Sequence, residues 1–393
     1  MMKRNSWRRA SALLLLAAAA VIGVSCNLIG PTTPPEINVP SLHQLAPHGM
    51  PIGVAVPAGK ARNSLLLSPE RQAIVNQHFN QLTAENIMKP MFLRPRRNRF
   101  SFTDADALVS YAADQGMTVH GHTLVWHQGL PAWMVNYEGD AADWSKLMRD
   151  HITGIVSHYA EEDIVVSWDV LNEVVSDIDA DEDGTNDLRR SVWLDNLGTS
   201  YLAAAYRVAH AADPNAELYY NDYNIAGIPA KLNAVLDMIG EFQADPDPVP
   251  IHGIAFQMHV RVDWPEISQI RESLARAVAT GLKIKISELD MSVNTDRRGR
   301  RKSMKELTVQ VAVRQQKRIE QIVTAYMEVV PPAQRGGISV WGIADSDSWH
   351  RMNDPNEWPL LFDDEFKPKP ALQGLADGLA RDKHQPTKDM TAN

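Results

Sequence analysis

Short apolar runs recur along the chain and alternate with longer segments in which apolar residues repeat at helical spacing. Continuous apolar runs are typical of strands that are buried on both faces of a parallel sheet. Segments such as Arg271–Thr280 and Val309–Val330 are predicted to be amphipathic helices. The eight predicted strands are Ile52–Val56, Thr83–Met88, Thr118–Val125, Ile164–Val170, Glu217–Asn221, Gly253–Gln257, Lys283–Glu288 and Gly337–Trp341.

This alternation of strands and helices predicts an α/β protein, a single-domain (β/α)8 TIM barrel. The spacing alone also fits a doubly wound sheet. The chain has 393 residues, 44% of them hydrophobic and 22% charged, which is the balance of a soluble globular protein. We assign the barrel to residues 41–380, a Pro-rich linker to residues 27–40 and a disordered tail to residues 381–393.

The first 26 residues have the pattern of a secretory signal peptide. Four basic residues precede an apolar run from about Ala10 to Val24, which is too short for a spanning helix. The run ends in GVSC, which resembles a bacterial lipobox with Cys26 as the lipidated residue. Ordinary cleavage with an incidental cysteine is the alternative. We therefore expect a secreted protein or a cell-envelope lipoprotein held at a bacterial membrane through Cys26.

Charge and composition exclude several kinds of partner. A net charge of -9 argues against nucleic acid, because binding a phosphate backbone requires clustered cations. The sequence has no Cys/His cluster for zinc and no glycine-rich phosphate loop, so the chemistry is expected to need no cofactor. The ten tryptophans suit contact with sugar rings as well as core packing. Core packing is expected for Trp144, Trp168, Trp193 and Trp264.

Carboxylates follow two of the predicted strands at their C-terminal ends. Glu173 comes after the fourth strand, and Glu288 and Asp290 come at the end of the seventh. Reactive side chains of (β/α)8 barrels lie at this end, and a carboxylate there is costly unless a pocket uses it. Glycoside hydrolysis needs such a pair, one protonated to release the leaving oxygen and one ionised to attack the anomeric carbon.

The segments that carry these polar residues resemble the family 10 glycoside hydrolases, which are mostly endo-β-1,4-xylanases. The resemblance runs from about Ile52 to Ala371 and rests on the order and spacing of six motifs. They are GHTLVWH (Gly121–His127), WDVLNE (Trp168–Glu173), YYNDYN (Tyr219–Asn224), QMH (Gln257–His259), KISELD (Lys285–Asp290) and VWGIADSDSW (Val340–Trp349).

The resemblance implies a role for each matching residue. Glu173 would be the acid/base and Glu288 the nucleophile, with His259 and Asp290 holding the nucleophile ionised. Asn172 would hydrogen-bond the sugar beside the scissile bond. Further substrate contacts would come from Glu85, Asn86, Lys89, His122, Trp126, Gln257, Trp341 and Trp349. A bracing role in the barrel and loops is expected instead for Tyr219, Asn221, Asp222 and Asn224.

The predicted activity is hydrolysis of the xylan backbone by a retaining double displacement, with the two carboxyl groups about 5–5.5 Å apart. Two carboxylates this close disfavour double ionisation, so one begins the reaction protonated. The alternatives are a related retaining β-glycanase or aryl-β-glycosidase, or a non-hydrolytic glycan-binding surface protein. The last would normally have lost one carboxylate, and both are present.

Three charged segments each have two possible interpretations. Asp179, Asp181, Asp183 and Asp187 have the oxygen spacing of a calcium loop, although Arg190 stands where an EF-hand carries Glu. An acidic surface loop without calcium is the alternative. The basic segments at residues 92–99 and 296–302 are either solvated loops or cleft walls that favour xylan with glucuronic acid side groups.

Overall fold

The computed structural model describes residues 37–47 and 49–381. The predicted signal peptide with Cys26, most of the linker, and residues 382–393 of the predicted tail lie outside this range. The strands β1–β9 are Ile52–Val56, Gln81–Ala84, Thr118–Gly121, Val165–Asn172, Glu217–Asp222, Gly253–Phe256, His259–Arg261, Lys283–Ser292 and Arg335–Val340.

Eight of these strands form a closed parallel barrel. Neighbours pair in the order β6-β5-β4-β3-β2-β1-β9-β8, and β6 pairs with β8 to close the ring. The short strand β7 lies outside the ring and pairs with the C-terminal part of β8. The predicted (β/α)8 barrel is confirmed, and β8 is its seventh strand.

Helices surround the barrel and bury their apolar faces against it. Helix α6 begins with a capping box, in which the Asp140 side chain accepts hydrogen bonds from the N–H groups of Ala142 and Asp143. The helices α1–α13 are Leu42–Leu45, Pro69–His78, Pro90–Leu93, Thr103–Asp114, Ala132–Val135, Ala141–Tyr159, Val192–Leu197, Ser200–Ala212, Pro229–Ala244, Ile267–Val278, Val309–Val329, His350–Asn353 and Pro370–Leu379. Three 3-10 helices lie at Leu65–Leu67, Pro332–Gln334 and Asp345–Asp347. In the described part of the chain, no helix has the length and apolar character needed to cross a membrane.

The predicted strands and the observed strands differ most at β2 and β3. The prediction for β2 began at Thr83, whereas the strand begins at Gln81 and ends at Ala84. Gln81 is polar but buried, because its Oε1 accepts a hydrogen bond of 2.6 Å from the Lys285 ammonium inside the barrel. Strand β3 ends at Gly121, four residues before the predicted end, and the chain there turns into the site.

The tryptophans predicted for the core divide into two groups. Trp144, Trp168 and Trp193 are buried, as expected. Trp264 is only half-buried, and the centre of its ring lies 4.7 Å from the Arg261 guanidinium. The core expectation is therefore wrong for Trp264. Trp168 also explains Gly121, since a Cβ atom there would lie 2.1 Å from the indole ring.

Candidate active site

The C-terminal ends of the barrel strands surround one cleft of about 910 Å³. It is lined by both glutamates of the predicted pair and by His259. All the further substrate contacts implied by the resemblance also line it, namely Glu85, Asn86, Lys89, His122, Trp126, Gln257, Trp341 and Trp349. Asn172 and Asp290 are buried behind this surface.

Glu288 lies within strand β8, and its carboxylate is held on both oxygens. Asn221 Nδ2 donates to Glu288 Oε1 over 2.7 Å, and His259 Nε2 lies 3.1 Å from Oε2. Ser287 Oγ in turn donates to Asn221 Oδ1 over 2.6 Å. The Glu288 side chain is only 5% exposed. This carboxylate is therefore fixed in position, and its cost of burial is offset by directed hydrogen bonds.

His259 stands between two carboxylates. Its Nδ1 lies 2.9 Å from Asp290 Oδ2, while its Nε2 faces Glu288. Burial opposes the charged imidazole, but Asp290 and Glu288 outweigh it and raise the His259 pKa to about 10. Burial also opposes the charge on Asp290, yet His259 and His350 keep the pKa of Asp290 well below its usual value. A charged imidazolium therefore faces Glu288 at neutral pH.

Glu173 follows the last residue of β4 and lies nearer to solvent. Trp126 Nε1 donates to its Oε2 over 3.0 Å, and Gln257 Nε2 donates to its Oε1 over 3.0 Å. The side chain is 13% exposed, compared with 5% for Glu288. Its backbone has a φ of +55°, a left-handed conformation that is uncommon for residues other than glycine.

A chain of amide side chains connects the two glutamates. Asn172 Oδ1 accepts hydrogen bonds from Asn221 Nδ2 over 2.8 Å and from Gln257 Nε2 over 3.4 Å. Each of these two donors also bonds one glutamate. Asn172 Nδ2 has no hydrogen-bond partner among the described protein groups. This amide group is therefore a donor that a sugar hydroxyl can use.

His122 forms the wall next to Glu288. Its Nδ1 lies 2.9 Å from Asp169 Oδ2 and 4.0 Å from Glu288 Oε1. Its ring meets the Trp341 ring edge-on, with the centroids 5.3 Å apart. Burial opposes the charge on Asp169, but His120 and His122 keep the pKa of this carboxyl well below its usual range. Asp169 lies in the WDVLNE motif and was not predicted as a site residue.

The loop after β2 provides a polar surface on the side of the cleft that lies opposite β6. Lys89 Nζ donates to Asn86 Oδ1 over 2.9 Å and lies 5.2 Å from the centre of the Trp126 ring. Burial lowers the Lys89 pKa, opposed by Glu288, Glu85 and Glu173 in that order. Burial also raises the pKa of Glu85. The Lys89 ammonium therefore interacts electrostatically with both glutamates of the pair.

Asn221 supports Glu288 from inside the barrel. It is fully buried, as expected of a residue that braces the barrel, and its side chain bonds Glu288 directly. Its neighbour Asp222 also braces the structure, because Lys231 Nζ lies 2.8 Å from Asp222 Oδ1 and 2.9 Å from Asp177 Oδ1. Burial raises the Asp222 pKa to about 6, with Lys231 opposing it. The only sequence signal for Lys231 is a lone cation on the buried face of α9.

The backbone of Glu173 is held from the loop that follows it. Arg189 Nε donates to the Glu173 carbonyl over 2.9 Å, and another nitrogen of its guanidinium donates to the Tyr223 hydroxyl over 2.7 Å. The Lys231 ammonium lies 3.6 Å from the centre of the Tyr223 ring. Neither Arg189 nor Lys231 was predicted, because both are distant from the motifs in sequence.

The acidic loop brings together three of its four predicted ligands. One oxygen from each of Asp179, Asp181 and Asp183 lies within 4.8 Å of the other two. Asp187, the fourth predicted ligand, is not in this group. Its Oδ2 instead accepts the Ala180 N–H over 3.0 Å, because the loop folds back on itself.

The fold and the two supported glutamates at the ends of β4 and β8 define a site of the glycoside hydrolase type. A family model described as glycosyl hydrolase family 10 matches residues 41–378. The chain belongs to this family, as the six motifs indicated.

Named relatives and solved structures agree with this membership. The chain is 43% identical over 354 residues to endo-beta-1,4-xylanase Xyn10C of Cellvibrio japonicus, covering 87% of this chain and 58% of that protein. It is 34% identical over 340 residues to endo-1,4-beta-xylanase B of Paenibacillus barcinonensis, covering 84% of this chain and 96% of that protein.

A solved structure of a variant of xylanase 10C from Cellvibrio japonicus, in complex with xylopentaose, has a TM-score of 0.82 and 41% identity. The match covers 87% of this chain and 69% of that chain. The chain spans little more than half the length of the first curated relatives it matches, 58% and 55%.

Proposed function

We propose that this protein is an endo-β-1,4-xylanase that hydrolyses the xylan backbone with retention of anomeric configuration. The names of its relatives support the substrate. The observation that carries the proposal is the pair of glutamates in one cleft with different surroundings. Glu288 faces a charged imidazole, whereas Glu173 is bonded by the neutral donors Trp126 and Gln257.

In the first step, the Glu288 carboxylate attacks the anomeric carbon and forms a glycosyl ester. The bond from that carbon to the glycosidic oxygen breaks, and the protonated Glu173 gives its proton to the leaving oxygen. The positive His259, with its Nε2 3.1 Å from Glu288 Oε2, stabilises the carboxylate that makes this attack.

In the second step, water attacks the anomeric carbon of the ester. Glu173, now ionised, takes a proton from this water, and the bond to Glu288 breaks to restore its carboxylate. Water is the only co-reactant, so the sequence of steps needs no cofactor. Asn172 Nδ2 donates to the 2-hydroxyl of the sugar, a contact that strengthens as positive charge develops on the ring.

Product analysis separates this activity from its alternatives. An endo-xylanase releases a series of short oligosaccharides from xylan, and the first sugar formed has the β configuration in proton NMR. A related β-glycanase would prefer cellulose, and an aryl-β-glycosidase would act on small aryl glycosides alone. A non-hydrolytic binding protein would retain xylan without releasing reducing ends. Any of these three results would overturn the proposal.

Azide rescue tests the two roles separately. With an activated aryl xylobioside, we expect azide to restore turnover of Glu173→Ala and to give the β-glycosyl azide, because Glu288 still forms the ester. In Glu288→Ala, azide takes the place of the nucleophile and gives the α-glycosyl azide. Rescue of Glu288→Ala alone, with the retained β product, would show that the roles are assigned wrongly.

We also propose export and lipid anchoring through Cys26, supported by the basic N-terminus, the apolar run and the GVSC segment. Mass spectrometry of the membrane-bound protein should find Cys26 as an acylated N-terminal residue. Cys26→Ser should move the protein to the soluble fraction. An unmodified Cys26 within a longer mature chain would contradict this proposal.

Calcium binding by the acidic loop is a further proposal, supported by the three clustered carboxylates of Asp179, Asp181 and Asp183. The rival is a loop that uses these oxygens internally, and Asp179 does accept the N–H of Gly184 over 3.0 Å. Bound calcium should raise the melting temperature of the protein, and Asp181→Asn should abolish that rise. A melting temperature that a chelator leaves unchanged rejects calcium binding.

A further inference from the structure

Arg261 lines the cleft at the end of β7, outside the motifs that carry the proposed chemistry. Its guanidinium lies 4.7 Å from the centre of the Trp264 ring. The backbone holds this pair together, because Arg261 N donates to Trp264 O over 2.9 Å and Trp264 N donates to Arg261 O over 3.2 Å. The guanidinium is therefore a positioned group and not a freely moving surface cation.

The barrel places Arg261 across the cleft from the polar surface at the end of β2. Strands β2 and β6 are four positions apart in a ring of eight, so they lie on opposite sides. Arg261 is the last residue of β7, the short strand that begins three residues after β6 ends, whereas Glu85 and Lys89 follow β2. A glycan that crosses the catalytic glutamates from the β2 side therefore reaches Arg261 on the other side.

In the ranges 37–47 and 49–381, no side-chain hydrogen bond or ion pair of the Arg261 guanidinium is seen, although the carboxylates of Asp263 and Asp296 are close enough to act on it electrostatically. The other two Lys or Arg side chains that line the cleft differ from it. Arg189 donates to Glu173 O and to the Tyr223 hydroxyl, and Lys89 donates to Asn86. Arg261 is thus the cleft cation that retains its donors for a ligand.

The adjacent basic loop, residues 296–302, does not compete for the same role. Four of its five cations, Arg297, Arg300, Arg301 and Lys302, form ion pairs with Glu266, Asp296, Asp354 and Asp263, respectively. The fifth, Arg298, is exposed and is absent from the described cleft lining. Gly299 is the residue of this loop that lines the cleft. The other basic segment, at residues 92–99, packs Arg94 against Phe100 and Trp133 and is absent from the described cleft lining.

Given the proposed xylanase activity, we propose that Arg261 binds the carboxylate of a uronic acid side group on the xylan chain. The xylose backbone is neutral, so it offers a guanidinium no charged partner. A uronic acid carboxylate matches the planar, two-pronged donor geometry of Arg, and such pairs are among the strongest hydrogen bonds in proteins. The half-buried setting, in which Trp264 excludes water from one face, strengthens the attraction.

The test compares glucuronoxylan with the same polymer after its carboxyl groups have been reduced to alcohols. This treatment removes the charge and leaves the side group in place. We expect the wild type to hydrolyse the acidic polymer with a kcat/KM about tenfold higher than that of the reduced polymer, the size expected of one charge-assisted pair. Arg261→Gln should bring this ratio to about one, and Arg261→Glu should bring it below one.

Arg298→Gln is the matched control, since it removes the same charge from an exposed residue of the adjacent loop. It should leave the ratio near its wild-type value. Because each variant is compared with itself on two polymers, a general loss of activity or stability cancels. In the wild type, added salt should reduce the ratio toward one.

A wild-type ratio of one, or a ratio that Arg261→Gln leaves unchanged, overturns the role of Arg261 while hydrolysis of both polymers upholds the xylanase activity. An equal fall in the ratio for Arg298→Gln assigns the effect to general electrostatics and also overturns it. If the wild type hydrolyses neither polymer, the proposed activity fails, and the role of Arg261 fails with it.

Discussion

Strand β8 and the residue after β4 carry the same side chain in opposite surroundings. Glu288, within β8, is enclosed and faces the charged His259, which Asp290 supports from behind. Glu173, after β4, is more exposed, and its carboxylate accepts hydrogen bonds from the neutral Trp126 and Gln257, with His127 Nδ1 4.0 Å away. A group that must stay ionised is thus fixed inside the barrel. A group that must exchange protons with a leaving oxygen and with water lies at its edge.

The largest expected effect comes from removing each carboxylate in turn. Glu173→Ala should lower kcat on xylan by roughly 10²–10⁴-fold, the range for general acid–base catalysis, and Glu288→Ala should lower it further. An aryl xylobioside with a good leaving group should distinguish them. Its ester-forming step needs no proton donor, so a burst of phenol should persist in Glu173→Ala and vanish in Glu288→Ala. A burst of phenol in Glu288→Ala alone would mean that the roles of the two glutamates are exchanged.

His259→Asn should remove the cation that distinguishes the β8 end. The raised pKa means that charged His259 contributes stability fully below about pH 6.5, and this contribution is lost as pH rises through about 10. Breaking such a buried pair should cost about 3 kcal/mol of unfolding free energy at pH 6 and less at pH 10. Urea unfolding at the two pH values measures this difference.

The same variant should also lower kcat on xylan at pH 6, because the positive group that faces the Glu288 carboxylate is removed. His350→Asn is the control, since His350 contacts Asp290 and is not bonded to Glu288. It should destabilise the protein with a much smaller fall in kcat. An unchanged kcat in His259→Asn would mean that the charge of His259 does not act on Glu288.

Lys231→Met tests the support behind the β4 end. Removing the ammonium leaves Asp222 buried without its cation, and we expect a loss of about 2 kcal/mol of unfolding free energy at pH 8. The pKa of Asp222, raised to about 6, implies that a protonated Asp222 tolerates burial, so the loss should shrink at pH 5.

The exposed Lys146, which pairs with Asp150, provides the control for this variant. Lys146→Met should change the unfolding free energy by less than about 0.5 kcal/mol at either pH. An equal loss for Lys231→Met at pH 5 and pH 8 would contradict the account of Asp222.

Trp349→Phe should have the smallest effect. It removes the hydrogen bond of 2.9 Å from Trp349 Nε1 to Asp290 Oδ2 but keeps an aromatic wall. One such bond is worth about 1 kcal/mol, so kcat should fall by roughly fivefold with little change in KM. Steady-state kinetics on a xylo-oligosaccharide measures both constants. A change confined to KM would show that this tryptophan binds sugar without supporting Asp290.

The parts of the fold that follow from apolar patterning could be predicted from the sequence. Strand β1 has its predicted bounds, and α11 ends one residue before its predicted end. Apolar patterning does not predict strands that begin with a buried polar residue. Strand β2 begins at Gln81, whose side chain is bonded inside the barrel by Lys285, a residue 204 positions away in sequence. No local sequence pattern indicates such a distant partner.

The site residues could be predicted where reactive side chains follow the predicted strands. The two glutamates, His259 and the residues of the cleft wall follow from motifs whose side chains meet at one edge of the barrel. The particular contact of Asn221 with Glu288 could not be predicted, because it depends on the packing of β5 beside β4 and β6. Arg189 lies in a loop, Lys231 on a helix and Arg261 at the end of the short strand β7, and only the three-dimensional structure reveals their neighbours.

The most direct test of the central claim is to trap the glycosyl ester. A 2-deoxy-2-fluoro xylobioside with an activated leaving group slows the second step, so the ester accumulates. Peptide mass spectrometry should then find one fluoroxylobiosyl group, attached to Glu288. Attachment to Glu173, or the absence of any adduct while the enzyme still hydrolyses xylan, would contradict the assignment of Glu288 as the nucleophile.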